Sequence, residues 1–364
     1  MNDRSHSTQA APQRALVVAV DLGDPSLLPQ LEEFKALAGA SGIEIIDQVI
    51  QKLAHLDAGT LVGSGKAAEI AERAKEEHAD LLLVYNDLRP RQRNNLEKIV
   101  PLPIVDRTML ILDVFALHAR SREGKLQVEL AQLRYRQSNL IGASAALSRL
   151  GGGVGTRGPG ETKLEVDRRK IQQRVTLLNR QLDDVRRQRE TRRGGRGGET
   201  LVALVGYTNV GKSSLLNRLS GVGAGNAAFV ADQPFATLDP TLRRVYIGES
   251  RSVRMADTVG FITALPKELM NAFRATLEEL DEADLLVHVL DASNPDWARQ
   301  RASVEAILHE LKLDEKPTIL VFNKTDRLDD AGRTALAGVG ALEVSAASGI
   351  GLDVLRATIA ERLR

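Results

Sequence analysis

The sequence predicts an α/β protein built in three parts: a small N-terminal α/β domain, a long basic helical hairpin and a larger C-terminal α/β domain. Three observations carry this. Short apolar runs alternate with helix-compatible stretches over the first hundred residues; two long, charged, helix-permissive stretches flank a run of glycines; and an apolar strand, a glycine loop and an amphipathic helix follow one another just after residue 200.

The 364 residues are 43% hydrophobic and 27% charged, which suits a globular protein of two or three domains. With no cysteine, the chain has no disulfide, thiolate metal site or cysteine nucleophile. No apolar run has the roughly 18 residues of a membrane span, and the polar start MNDRSHSTQAAPQR lacks a secretory core. We therefore expect a cytoplasmic protein, one that can associate peripherally with a membrane, with a disordered tail over 1–13.

The N-terminal α/β domain is expected over 14–113. RALVVAVD (14–21), IEIIDQVI (43–50) and DLLLVYND (80–87) read as strands, with helices over 27–39, 66–79 and 89–100. TLVGSGKAAEI (60–70) imitates a phosphate-binding loop. Thr60 stands where the first glycine belongs and Ala67 replaces a metal-binding hydroxyl, so a turn opening a helix at Lys66 is the better reading.

From Asp106 to Leu150 the pattern turns long and helical, with Leu126, Leu130 and Leu133 at spacings of three and four, and it resumes over 161–190. Two such helices, the second roughly 45 Å long, are expected to pack antiparallel, because neither buries its apolar stripe alone. The basic hairpin spans 114–196 and holds roughly 19 Lys and Arg against about 8 Asp and Glu. In a chain of net charge +1 the remainder is net acidic by about ten, and this segregation points to a polyanionic partner. TRRGGRGGET (191–200) reads as a flexible basic linker.

The domain over 197–364 opens with TLVALVGYTNVGKSSLLNRLSG, which fits G-x-x-x-x-G-K-[ST] through Gly206, Gly211, Lys212 and Ser213. Backbone N–H groups of Gly206, Tyr207, Thr208, Asn209, Val210, Gly211, Lys212, Ser213 and Ser214 are expected to surround a phosphate chain at a helix N-terminus. Lys212 would reach the β- and γ-phosphates, and Ser213 would bind Mg²⁺. VRMADTVGF (253–261) ends a strand in Asp257, a carboxylate for the magnesium shell, directly or through water. Thr258 and Val259 follow, and the Gly260 N–H can contact a γ-phosphate.

Between these motifs QPFATLDPTLR (233–243) is polar and turn-rich. It suits a segment ordered by γ-phosphate and magnesium, with Phe235, Ala236, Thr237, Leu238 and Asp239 at the nucleotide; Thr237 is the second magnesium ligand of choice and Thr241 the runner-up. TILVFNKTD (318–326) ends another strand in Asn323, Lys324, Thr325 and Asp326. An aspartate there accepts together from the N1–H and 2-amino group of guanine, which selects GTP over ATP. LEVSAASG (342–349) adds Ser345, Ala346 and Ala347 to the base pocket. The predicted class is therefore a P-loop GTPase domain preceded by the small α/β domain and the hairpin. Lys212, Thr237 and Gly260 are expected to carry catalysis. Phe261 stands where Ras-like enzymes orient water with glutamine, which a phenyl ring cannot do, so the isolated protein should be slow and await a partner.

GYTNVGKS (206–213), FATLD (235–239), DTVGF (257–261) and NKTD (323–326), with GGGVGTRGPGETKLEVDRR (151–169) and LVGSGKAAEI (61–70), resemble the HflX family of GTPases over essentially the whole chain. The resemblance implies a protein, expected to be monomeric, that binds GTP or GDP and the large ribosomal subunit with its RNA. It also implies that stalled or idle ribosomes are split under stress, and a hydrophobic residue where Phe261 stands. Some members have nucleotide-dependent RNA unwinding linked to the N-terminal domain, and some have a C-terminal extension that this chain, stopping at Arg364, is expected to lack. A GTP-regulated RNA chaperone or helicase is the alternative. The glycine run then acquires a use: Arg157, flanked by Gly153, Gly155, Gly158 and Gly160, would sit at the hairpin tip and enter ribosomal RNA.

Overall fold

The computed structural model describes residues 12–150, 163–193, 199–221, 235, 241–248, 250–263, 270, 278–336 and 338–364. The hairpin tip, with Gly153, Gly155, Arg157, Gly158 and Gly160, lies outside the described residues, as do Ala236, Thr237, Leu238 and Asp239. The chain divides into two compact units, residues 1–114 with 134–172, and residues 115–133 with 173–364.

In the first unit β1 (Gln13–Asp21), β2 (Ile43–Lys52), β3 (Leu81–Val84) and β4 (Ile104–Asp106) form a wholly parallel sheet of order β2-β1-β3-β4. Leu16 to Val20 of β1 are all buried, as an inner strand of a parallel sheet covered on both faces requires. The crossovers carry α1 (Leu27–Ala40), α2 (Ser64–Glu76) and α3 (Pro90–Ile99). β3 covers Leu81–Val84 of the strand expected over 80–87, and just beyond it Asn86 accepts from the Val20 N–H at 2.8 Å. The imitation phosphate loop opens α2 at Ser64, capped by Gly63 at φ 83°. Ala67 is fully buried in the core with Ile70, Leu16 and Leu82, so the position that would carry a metal-binding hydroxyl is a packing position.

The helical stretch expected from Asp106 onward is interrupted. α4 (Arg107–His118) ends before Ala119, and α5 (Arg122–Leu150) restarts, with the Ser121 Oγ accepting from the Gly124 N–H at 2.8 Å as an N-cap. α6 (Lys163–Arg193) supplies the second long helix. In the first unit Gln137 donates to Gln172 at 2.8 Å. Within the second unit Arg174 grips Glu129 through two bonds of 2.6 and 2.9 Å, while Val128, Ala131, Val175 and Leu178 are buried.

The second unit is organised on a six-stranded sheet of order β10-β9-β8-β5-β7-β6. β5 (Leu201–Gly206) is central, flanked by β7 (Arg251–Asp257) and β8 (Leu285–Asp291); β9 (Thr318–Asn323) and β10 (Leu342–Glu343) continue the parallel run, and β6 (Thr241–Gly248) closes the far edge antiparallel. α7 (Lys212–Ser220), α8 (Glu278–Asp281), α9 (Trp297–Glu310), α10 (Asp330–Leu336) and α11 (Leu352–Arg362) are the α-helices described after β5. Parallel order brings the C-terminal ends of β5, β7, β8 and β9 to one edge, where open α/β sheets bind ligands. Among the described residues no helix is long and apolar enough to cross a membrane.

Candidate nucleotide site

β5 is buried throughout and ends at Gly206, whose φ of 151° and position admit no side chain: a Cβ there would lie 2.3 Å from the Val289 carbonyl oxygen. The loop then turns through Asn209 at φ 60° and Gly211 at φ 89°, which caps α7; a Cβ on Gly211 would meet the Asn323 amide nitrogen at 2.4 Å. The two glycines are thus required by close approach, and they leave a helix N-terminus open to an anion. Val210 is buried and Ser214 half-buried in the first turn of α7. Lys212 folds back into this loop, its Nζ donating to the carbonyls of Gly206 at 3.0 Å and Tyr207 at 2.8 Å. Burial pushes its ammonium down to about 8, against the opposing pull of the Asp257 carboxylate.

Asp257 is fully buried at the end of β7 and accepts from the Ser213 hydroxyl at 2.5 Å. Thr258 donates to the Leu204 carbonyl at 2.6 Å, and Val259 is buried beside it. Gly260 is pressed onto the phosphate loop, where a Cβ would lie 2.8 Å from Thr208 Cα and 3.2 Å from Lys212 Nζ. Phe261 is 1% exposed, and its main chain bonds the loop in both directions: the Thr208 N–H donates to the Phe261 oxygen at 2.8 Å, and the Phe261 N–H donates to Gly206 at 3.1 Å. Phe235 is buried at φ 60° with its ring 4.2 Å from that of Phe115. Thr241 opens β6 directly opposite Asp257.

At the other end of the loop, Asn323 is buried and bridges two segments, donating to the Val210 carbonyl at 2.9 Å and accepting from the Ala346 N–H at 3.0 Å. Lys324 donates to the Asn209 carbonyl at 2.7 Å and pairs with Asp291 at 2.7 Å. Thr325 donates to Val344 at 2.9 Å. The Asp326 residue is exposed but held, since the buried Ser345 hydroxyl donates to its carboxylate at 2.5 Å; Ala347 is exposed alongside. Asp291 and Thr263 also belong to this neighbourhood and escaped the sequence reading. Asp291 ends an apolar strand, a signal that was present; Thr263 offers none. Among the described residues no group of three or more His, Asp or Glu could by itself hold a metal ion.

A glycine loop between a buried strand and a helix, a lysine folded into it, a strand-end carboxylate on the loop serine and an asparagine–lysine–aspartate turn beside it define a P-loop GTPase. Comparison with known proteins agrees over most of the chain. Residues 29–116 match a family model described as GTP-binding GTPase N-terminal, 118–196 one described as GTP-binding GTPase Middle Region, and 201–324 one described as 50S ribosome-binding GTPase. The GTPase HflX of Caldanaerobacter subterraneus subsp. tengcongensis is 44% identical over 355 residues, covering 96% of this chain and 81% of the relative. GTPase HflX of Escherichia coli K12 is 41% identical over 359 residues, covering 97% and 83%. A solved structure described as an SsGBP and GDP complex aligns with a TM-score of 0.52 at 24% identity over 96% of this chain and 98% of that one, a likeness of fold. The chain belongs to the HflX GTPase family, and it is a GTP-hydrolysing enzyme.

Proposed function

We propose that this GTPase binds the large ribosomal subunit and uses GTP to separate stalled or idle ribosomes under stress, with hydrolysis stimulated by the ribosome. The observation that carries the reading is the pairing of a G domain matched by a 50S ribosome-binding GTPase model with a segment, 114–196, whose excess of basic residues is that of a polyanion binder. The exposed Arg168, Arg169, Lys170 and Arg180 of α6 supply phosphate contacts, and Arg157 with Gly153, Gly155, Gly158 and Gly160 enters the RNA. The protein acts as a monomer in the cytoplasm.

In the nucleotide site the loop amides from Gly206 to Ser214 hold the phosphates, Lys212 the β- and γ-phosphates, and Gly260 the γ-phosphate. Asn323, Lys324, Asp326 and Ser345 with Ala346 and Ala347 hold guanine, and Phe235 through Asp239 border the nucleotide. The Ser213 hydroxyl and the Asp257 carboxylate are hard oxygen donors already in contact, a set that fits Mg²⁺. With Thr237 they would hold that ion, which when bound neutralises phosphate charge. Because Phe261 is buried, no side chain at that position orients the attacking water; the ribosome is the partner that completes the site.

The test is GTP hydrolysis at fixed ionic strength by wild type and Lys212→Ala, alone and with purified large subunits. A slow basal rate, a steep rise with subunits and loss of both in the variant are expected. A rate that subunits leave unchanged removes the ribosome from the proposal. Unwinding of free RNA duplexes by the protein in the same experiment would favour an RNA chaperone.

A further inference from the structure

The Tyr207 side chain has no role in a phosphate loop that works through its main chain, yet it is 3% exposed and firmly bonded. Its hydroxyl accepts from the Thr263 N–H at 2.8 Å and shares a second bond of 2.7 Å with Thr263 Oγ1. In that second bond either hydroxyl can be the donor, and the two oxygens are held together in both cases. Arg299 of α9 approaches the same Oγ1 at 3.4 Å and pairs with Asp296 at 3.2 Å, so the threonine is held from a second direction.

Between Tyr207 and Thr263 runs the bridge of Phe261 to Gly206 and Thr208. The β5–β7 pairing, which ends at Leu204 and Asp257, is thereby resumed one residue out of register at Tyr207 and Phe261. That slip places Gly260 between the two stretches, over Thr208 and beside Lys212 Nζ. Main-chain bonds alone leave such a two-bond bridge at a sheet end prone to open; the phenol closes it two residues further on.

We propose that Tyr207 is a positioning residue for GTP hydrolysis: its hydroxyl latches Thr263 and so fixes the Gly260 amide against Lys212, at the γ-phosphate end of the loop. This rests on the reading of Gly260 as a γ-phosphate contact. Because Phe261 is turned into the core, the segment can act on the phosphate only through its backbone, and a backbone donor contributes most when it is pre-positioned. GDP has no γ-phosphate, so the latch should separate hydrolysis from nucleotide affinity.

The experiment is single-turnover GTP hydrolysis and GDP affinity of the full chain carrying Tyr207→Phe, Thr263→Val, both, or Thr263→Ser. Loss of the hydroxyl's two part-buried hydrogen bonds predicts a hydrolysis step at least roughly three- to tenfold slower in Tyr207→Phe. GDP affinity should stay within about twofold of wild type, since the ring remains and GDP lacks the phosphate concerned. The double variant should be no slower than Tyr207→Phe, and Thr263→Ser, which keeps the oxygen, should restore the wild-type rate. An unchanged or faster hydrolysis step in Tyr207→Phe overturns the latch, as does a loss of GDP affinity equal to the loss of rate, which would mark a general distortion of the loop. Gly260→Ala separates the underlying reading. If that variant hydrolyses normally, Gly260 does not serve the γ-phosphate; if it is slow while Tyr207→Phe is not, only the latch fails.

Discussion

His288 lies on β8, 2% exposed, with an Nε2 that has no hydrogen-bond partner among the described residues, in a strand otherwise wholly apolar from Leu285 to Leu290. Burial, with the positive charges of Arg301 and Lys212, brings its pKa from 6.5 down to about 4. The unfolded chain therefore takes up a proton that the folded one refuses between these values, and stability falls as pH drops from about 6.5 towards 4. The full shift corresponds to about 3 kcal/mol. Urea unfolding at pH 7 and pH 5 should show His288→Leu losing about 2 kcal/mol less than wild type over that step; equal losses would mean the imidazole is protonated in the fold. Asn323 gives a second residue-scale prediction. Its amide satisfies both the Val210 carbonyl and the Ala346 N–H, so Asn323→Ala leaves one buried and one half-buried group unmatched, which costs about 1–3 kcal/mol. GDP affinity should fall with stability, because the same amide ties the phosphate loop to the base loop. Calorimetric GDP titration and thermal unfolding together check it.

At the scale of elements, Asp106 joins three of them. It caps α4 by accepting from the Met109 N–H at 2.9 Å, accepts from Arg93 of α3 at 2.7 Å, and accepts from the Tyr135 hydroxyl of α5. Arg93 also donates to the Ile104 carbonyl at 2.6 Å. Removing the carboxylate strands a mostly buried guanidinium, so Asp106→Ala is expected to destabilise the first unit by about 3–5 kcal/mol, whereas Tyr135→Phe, which leaves the ion pair intact, costs about 1 kcal/mol. Denaturant unfolding should rank them so; equal costs would place the weight on the phenol. The same cluster shows what was legible in the sequence. Strands over 14–21 and 43–50, the loop from Gly206 to Ser213 and the turn from Asn323 to Asp326 announce themselves, because apolar runs and glycine spacing are local properties. β4 is three residues between Pro103 and α4, too short for any periodicity, and the break at Ala119 carries neither glycine nor proline. Asp106, Tyr135 and Arg93 are unremarkable until the fold assembles them, and so are Tyr207 and Thr263, which are 56 positions apart.

Across the whole molecule the decisive property is segregated charge, which a net value of +1 conceals. Phosphate contacts release counterions, so the affinity for an RNA surface falls along a line of log affinity against log salt whose slope counts the phosphates neutralised, about 0.9 for each in a duplex. The nucleotide site should respond differently. Lys212 and Asp257 are both buried, and the charge of one acts on the other where salt screens little, so basal GTP hydrolysis should change little between 50 and 200 mM salt, concentrations at which six to ten phosphate contacts cost about 10³–10⁵ in affinity. Half-saturation by large subunits, read from stimulated hydrolysis, should therefore weaken steeply with salt while the basal rate stays level. Replacing Arg168, Arg169 and Lys170 of α6 with alanine should reduce the slope by up to about three and leave the basal rate unchanged, because these exposed side chains lie outside the nucleotide site. If the triple variant keeps the wild-type slope, this turn of the helix does not meet phosphate, and the basic footprint belongs to other residues of 114–196.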